Sequence, residues 1–219
     1  MRPAPSAQHL LITFVPTVLT LVVLAAISEM YAVPMADITR DMAQIGGIHP
    51  LSGILSNLGI ILWCATAATC LFSALVLRSG PSDAYYFLLS SAGLSAALLI
   101  DDFFAVHDFL AERYLHIDEK VVIAALGVAT VVLLVAFRPT IILKTHYRLL
   151  LLAPGFFAIS VGADAFDDRL WRLGQWQYLL EDGAKWLGIA GWCSYYVVTS
   201  YQLVTDPASE PVAATVPTD

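Results

Sequence analysis

The sequence predicts an all-α fold, a polytopic integral membrane helical bundle of about six transmembrane helices, with seven as the alternative count. Of its 219 residues, 58% are hydrophobic and 13% are charged, and the mean hydropathy is +0.74, which exceeds the values of soluble domains. The apolar residues come in long runs, and about 20 helical residues cross a hydrocarbon layer of roughly 30 Å. Helices are expected because backbone polar groups in lipid must be satisfied within the segment.

The predicted spans follow one another through short polar connections, which leaves no room for a separate soluble domain. They cover residues 10–33, 51–77, 85–108, 121–137, 149–165 and 178–204. Residues 1–204 are therefore predicted to form a single transmembrane domain that has the lipid bilayer as its partner. The proline-containing segment 205–219 is predicted to be a disordered cytoplasmic tail.

The apolar run of the first span extends from Leu10 to Ile27 and the span continues to Val33, which is longer than the apolar core of a signal peptide, so a membrane anchor is expected. Apolar residues then recur near helical spacing and predict a short interfacial amphipathic helix near 35–47. These residues are Met35, Ile38, Met42 and Ile45. The glycine pair Gly46 and Gly47 is expected to end that helix.

Acidic residues are concentrated on one predicted membrane face, whereas basic residues are not. Basic residues divide almost evenly, but the loop 138–148 is the densest basic loop beside a span, and the positive-inside tendency then places it and both termini in the cytoplasm. Fourteen of the eighteen acids fall on the opposite side: Glu29, Asp37, Asp41, Asp101, Asp102, Asp108, Glu112, Asp118, Glu119, Asp164, Asp167, Asp168, Glu181 and Asp182. Such a face attracts cations, and carboxylates near lipid mark functional sites.

The third span carries the densest acidic cluster, in the segment LLIDDFFAVHDFLAERY. On a continuous α-helix, Asp101, Asp108 and Glu112 share one narrow stripe, His107 flanks it, and Asp102 points towards a neighbouring helix. From Glu112 onward we favour an ordinary helix end in water. The apolar FFAV after the two aspartates indicates that the helix continues at membrane depth, so Asp101, His107 and Asp108 are candidate metal ligands.

The fifth span ends in GADAFDDRLW, which places three aspartates on one helix face. Their mutual repulsion calls for a bound cation, a basic partner or protonation of one acid. Asp164 is expected to be the buried member and is the fourth candidate metal ligand. Asp167 and Asp168 are equally well explained as a solvated helix end.

The sixth span opens with Glu181 and Lys185 four residues apart, the favourable order for an acid and a base on a helix. The pair is predicted either to be a satisfied structural ion pair or to be catalytic, with Glu181 as acid or base. Small residues on this span predict close approach of a neighbouring helix. They are Gly183, Ala184, Gly188 and Gly191.

The leading functional hypothesis is a divalent-metal-dependent, hydrolase-like membrane enzyme that acts on a lipid-like substrate near the non-cytoplasmic face. Oxygen ligands with an imidazole suit zinc, manganese or calcium, and a bound ion can activate water or polarise a carbonyl or phosphoryl group.

Two other classes remain open. A cation- or proton-coupled transporter or channel would use the same carboxylates, although the cytoplasmic halves of the spans are predicted to be nearly pure hydrocarbon. A non-catalytic membrane assembly or sensor subunit is the third hypothesis, and the sequence does not decide whether the protein is an enzyme. Nucleic-acid binding is excluded by the formal net charge of −7 and the absence of a basic stripe.

Overall fold

The computed structural model describes residues 7–78, 82–166, 174 and 176–205. These residues form helices and turns and contain no β-strand, so the all-α prediction is confirmed for them. The α-helices in these ranges are α1 (Ala7–Tyr31), α2 (Met35–Thr39), α3 (Met42–Gly46), α4 (Ile54–Leu77), α5 (Asp83–Phe104), α6 (Glu119–Ala136), α7 (Arg138–Lys144), α8 (Tyr147–Ala165) and α9 (Trp176–Thr205). A π-helix, Val106–Leu115, lies between α5 and α6.

Five of the described helices, α1, α4, α5, α6 and α8, are long and apolar enough to cross a membrane. The predicted count of six is therefore wrong by one. The predicted sixth span lies in α9, whose first turns carry Glu181, Asp182 and Lys185. The rest of α9 is rich in glycine, tyrosine and hydroxyl residues, which make it less apolar than the other five helices.

The chain divides into two compact units, and the first is Met1–Ile54, which contains α1, α2 and α3. The single amphipathic helix predicted near 35–47 is two short helices, because Arg40 and Asp41 between them have extended backbone. Gly47 caps α3 in the left-handed conformation with φ of 60°, so the predicted glycine end is confirmed.

The second unit, Leu55–Asp219, contains the buried core. Large side chains of α4, α5 and α9, including Trp63, Phe87, Trp192 and Tyr196, form this core. The most extensive helix–helix contact joins α8 to α9. It is close because α9 presents small residues there, as predicted, and Gly188 lies directly against the ring of Phe157 on α8.

The direction of each helix brings the charged residues together. Ser82 caps α5, its Oγ accepting a hydrogen bond from Tyr85 N at 3.4 Å. Asp101 and Asp102 lie near the opposite, C-terminal end of this helix. Early turns of α4 and α9 supply Trp63 and Lys185 at that same end. Of the other predicted features, Asp167 and Asp168 and nearly all of the tail 205–219 lie outside the described residues.

Candidate functional site

The site begins where α5 stops and the backbone changes direction. Ala105 adopts a left-handed conformation with φ of 47°, which is strained for a residue with a Cβ, and a π-helix follows. Non-glycine residues in this conformation and π-helical segments both concentrate at functional sites. The continuous helix predicted through residue 108 is therefore wrong, and the predicted stripe of Asp101, Asp108 and Glu112 does not form, because 100° per residue does not hold across this break.

The break folds His107 back onto Asp101. The backbone N–H of His107 donates to Oδ1 of Asp101 at 3.1 Å, and the ring Nδ1 lies 2.7 Å from Oδ2 of the same carboxylate. On the other side of the ring, Nε2 lies 3.1 Å from Oδ1 of Asp108. The side chains of His107 and Asp101 are 12% and 11% exposed, whereas that of Asp108 is 61% exposed. One imidazole thus bridges a buried carboxylate and a solvent-facing one.

This arrangement favours the charged imidazolium. The hydrogen bond to Asp101, followed by that to Asp108, raises the pKa of His107 from 6.5 to about 10, although burial opposes the increase. The same contact with His107 lowers the pKa of Asp108, and the charge of Lys185 adds to that effect. At neutral pH the trio therefore holds one imidazolium between two carboxylates.

Asp102 contacts α4 and α9 rather than His107, in line with the prediction that it points towards a neighbouring helix. Its Oδ2 accepts a hydrogen bond from Trp63 Nε1 on α4 at 2.7 Å, and its Oδ1 lies 2.8 Å from Lys185 Nζ on α9. The Asp102 side chain is 9% exposed and that of Lys185 is 38% exposed. Lys185 therefore has Asp102 as an ion-pair partner, a carboxylate that the sequence did not pair with it.

The two halves of the site lie close enough to share one ion. One ligand atom from each of Asp101, Asp102 and His107 can be chosen so that all three lie within 4.8 Å of one another. Two carboxylates and one imidazole suit zinc or manganese. Each carboxylate oxygen already has a partner, so metal binding would have to displace the contacts of His107 Nδ1 or Lys185 Nζ.

Aromatic rings lie beside the charged residues. Trp63 stacks on Phe157 with ring centroids 6.2 Å apart and meets Trp192 edge-on at 6.1 Å. Trp192 in turn donates from Nε1 to Ser95 Oγ at 3.1 Å. These contacts fix the indole of Trp63, and with it the hydrogen bond that positions Asp102.

The structure brings together four of the six predicted site residues: Asp101, His107, Asp108 and Lys185. Asp164, expected to be buried, is exposed near the end of α8, and Glu181 is half-buried four residues before Lys185. The prediction missed the role of Asp102 and Trp63. Asp102 carried a signal, since it is a second acid in an apolar run, but no local pattern marks a tryptophan in α4 as its partner.

A family model matches residues 14–199, which include the whole site and most of both units. The chain belongs to the family described as Domain of unknown function (DUF8692). No curated protein and no solved structure matches it. Membership of the DUF8692 family therefore adds no chemistry to the site.

Proposed function

We propose that this protein is a multi-pass membrane protein that moves protons, coupled to a cation or solute, through the Asp101, His107 and Asp108 relay. The observation that carries the proposal is the His107 ring, which contacts a buried carboxylate through one nitrogen and an exposed carboxylate through the other. Histidine between acids is a common proton-relay element in membrane proteins. Asp108 would exchange protons with water, and Asp101 would receive them inside the protein.

The charges around the relay support coupling to a cation. Three carboxylates, Asp101, Asp102 and Asp108, lie near two cationic groups, those of His107 and Lys185. Loss of the His107 proton leaves one ammonium against three carboxylates, which attracts a cation. Proton release and cation uptake would then be linked, with Lys185 and Asp102 as the fixed pair.

Proton flux in proteoliposomes tests this proposal. Purified protein would be reconstituted with an internal pH-sensitive dye, and a pH gradient would be imposed with the membrane potential clamped. We expect flux that is lost in His107→Gln and Asp101→Asn and retained in Asp164→Asn, whose acid is exposed and lies on α8. No flux under any cation gradient, or equal flux in all variants, would contradict the relay.

A second candidate is the divalent-metal-dependent, hydrolase-like membrane enzyme with a lipid-like substrate. It is favoured by the close approach of potential ligand atoms from Asp101, Asp102 and His107. These residues would hold the ion, which would supply Lewis-acid activation of water or a phosphoryl group. The apolar helices around the site suit a membrane-resident substrate.

Elemental mass spectrometry of chelator-free preparations separates the two candidates. If the protein is a metalloenzyme, the wild type and Asp164→Asn should contain near-stoichiometric zinc, manganese or calcium. Asp101→Asn and Asp102→Asn should lose this bound metal. Metal-free protein that transports protons would support the relay and overturn the metalloenzyme.

A further inference from the structure

The connection between α6 and α8 carries a cluster of basic residues. α6 begins just after the π-helix of the charged site and ends at this connection, so the cluster lies at the opposite end of that helix. In the sequence, no acid follows Glu119 until Asp164. The residues of the basic cluster are Arg138, Lys144, His146 and Arg148.

No carboxylate neutralises the basic cluster among the residues that the structure describes. None of the ion pairs formed within those residues involves Arg138, Lys144 or Arg148. Asp83 begins α5 at this end of the second unit, and Arg78 follows α4 there. The described part of this end therefore carries four permanent cations and one carboxylate. Such a surface attracts anions.

The buried core holds the basic cluster in place. Ile141 of α7 is buried, and Thr145 after α7 has extended backbone. Thr145 Oγ1 donates to Ile141 O at 2.6 Å, and the hydroxyl of the buried Tyr195 on α9 lies 2.9 Å from the same Oγ1. Since successive residues of extended backbone point to opposite sides, Lys144 and His146 point away from Tyr195. The outer side of this ordered turn is therefore cationic.

A groove of about 500 Å³ lies beside the basic cluster, at the start of α8. One part of its lining has an imidazole, a guanidinium and two hydroxyls, and the other part has two leucine side chains. The lining residues are Thr145, His146, Tyr147, Arg148, Leu149 and Leu152. A ligand that matches both parts has an anionic group joined to an apolar chain.

The surroundings of the groove are apolar and exposed. Leu143 of α7 is 81% exposed, and Leu151 and Leu152 of α8 are 61% and 52% exposed. The helices on either side of the connection, α6 and α8, are long and apolar enough to cross a membrane. Exposed leucines beside one another are unfavourable in water and favourable where lipid covers them. In a membrane that α6 and α8 cross, the groove opens where headgroups meet acyl chains.

We propose that this groove binds an anionic phospholipid from the leaflet that meets the basic cluster. The guanidinium of Arg148 donates to two oxygens of the phosphodiester, with Lys144 and His146 as further donors, and the acyl chains run along Leu149 and Leu152. The sequence predicts that this loop is cytoplasmic, and the cytoplasmic leaflet carries the anionic lipids. The inference rests on the membrane insertion in the proposed function and not on proton movement.

Charge complementarity favours a lipid over a second copy of the chain. A second copy in the same membrane presents the same cations at this end, and they repel the first set. Its acids near the charged site lie at the opposite ends of α5 and α6 and cannot reach the groove. A soluble phosphate matches the cations but leaves Leu149 and Leu152 uncovered.

Native mass spectrometry of the full chain in detergent micelles tests the lipid directly. The protein would be titrated with short-chain phosphatidylglycerol, with phosphatidylcholine of the same chain length, and with glycerol phosphate, which lacks acyl chains. We expect phosphatidylglycerol to bind about tenfold or more tightly than phosphatidylcholine, and glycerol phosphate not to bind at the same concentrations. Equal affinity for the two lipids would overturn the anionic site. Glycerol phosphate that binds as tightly as phosphatidylglycerol would overturn a lipid as the occupant.

Substitutions locate the site on the protein. Arg148→Gln and Lys144→Gln should each lower the preference for phosphatidylglycerol by about threefold or more, and Arg148→Lys should keep part of it because the charge remains. Arg113→Gln and Lys120→Gln are the matched controls and should keep the full preference. Both control residues are exposed and lie at or next to the other end of α6. No loss in Arg148→Gln, or equal loss in the controls, would overturn the groove as the binding site.

Proton flux separates the lipid site from the proposed relay. A preference for phosphatidylglycerol without proton flux keeps the lipid site and refutes the relay. Flux through a protein that shows no such preference refutes the lipid site and leaves the relay intact. Pairs of chains that Arg148→Gln dissociates, with no lipid bound to the wild type, would assign the groove to a second copy and overturn the lipid.

Discussion

Lys185 Nζ lies 2.8 Å from Asp102 Oδ1, and this ion pair joins α9 to the C-terminal end of α5. The other oxygen of the same carboxylate accepts a hydrogen bond from Trp63 on α4 at 2.7 Å. One carboxylate therefore ties three helices together around the site. Each oxygen of this buried carboxylate has its own donor, so removal of Trp63 Nε1 or Lys185 Nζ leaves Asp102 incompletely satisfied.

Asp102→Asn and Lys185→Met should each lower the free energy of unfolding. A fully buried pair loses about 3–5 kcal/mol when one partner is removed, and we expect about 2 kcal/mol here because Lys185 keeps part of its side chain in water. The double variant should lose less than the sum of the single variants. Reversible unfolding in mixed micelles measures all three.

Asp182→Asn is the matched control for the double-mutant cycle of Asp102 and Lys185, since Asp182 is an exposed acid on the same helix as Lys185. Its effect should stay within about 0.5 kcal/mol. If the double variant loses as much stability as the sum of the two single variants, the 2.8 Å contact has no net coupling energy.

The raised pKa of His107 makes stability depend on pH in a defined window. Its contribution is fully present below the ordinary pKa of 6.5 and is lost as the pH rises towards the folded-state pKa of about 10. Wild-type protein should therefore exceed His107→Gln in Tm at pH 6, and the difference should shrink between pH 6.5 and 10. Unfolding scans in detergent across that range measure it.

His146→Gln serves as the control for general alkaline effects, because His146 is exposed before α8. Its Tm should follow the wild type at every pH. A wild-type advantage over His107→Gln that stays constant from pH 6 to 10 would be incompatible with an imidazolium held by Asp101 and Asp108.

Trp63→Phe should destabilise the protein while an aromatic ring stays against Phe157. The change removes the Nε1 hydrogen bond to Asp102, and a bond to a charged, buried acceptor contributes about 1.5–3 kcal/mol. Trp176→Phe provides the comparison, since Trp176 is 71% exposed and should tolerate the same change. Equal loss of stability in the two variants would argue against the hydrogen bond as the cause.

The sequence predicted the parts of this structure that depend on local pattern. Long runs of apolar residues predicted α1, α4, α5, α6 and α8, because the thickness of a membrane's hydrocarbon layer sets the length of helix needed to cross it. Asp101, His107 and Asp108 were grouped correctly because only a few residues separate them. The prediction of a buried Asp164 failed because neighbouring glycine and alanine indicate an apolar run but not which face of the helix turns inward.

The remaining contacts depend on how distant segments pack. The bond from Trp63 to Asp102 crosses 39 positions, and the ion pair with Lys185 spans more than twice as many, so no local spacing encodes either one. The left-handed conformation of Ala105 could not be predicted from the sequence for a different reason. Alanine favours a continuing helix, and only the surrounding contacts can hold it at positive φ.

Gly188→Ala should disrupt the contact between α8 and α9, whereas Gly191→Ala should not. A Cβ at Gly188 would lie 2.8 Å from two ring atoms of Phe157, and the ring has little freedom to move because it stacks on Trp63. Such overpacking costs about 1–3 kcal/mol. A Cβ at Gly191 would meet Ala153 at 3.7 Å or more, an ordinary contact, and alanine gains up to about 1 kcal/mol in helix propensity.

Unfolding of both alanine variants in mixed micelles measures the difference in their stability. Adding Phe157→Leu to Gly188→Ala should recover part of the lost stability, because the smaller side chain makes space for the new Cβ. Because displacement of Phe157 would also shift Trp63 and Asp102, Gly188→Ala should reduce proton flux as well. Similar stability for the two alanine variants would mean that the Phe157 ring can move without cost, and the close approach of α8 and α9 would then not fix the position of Trp63.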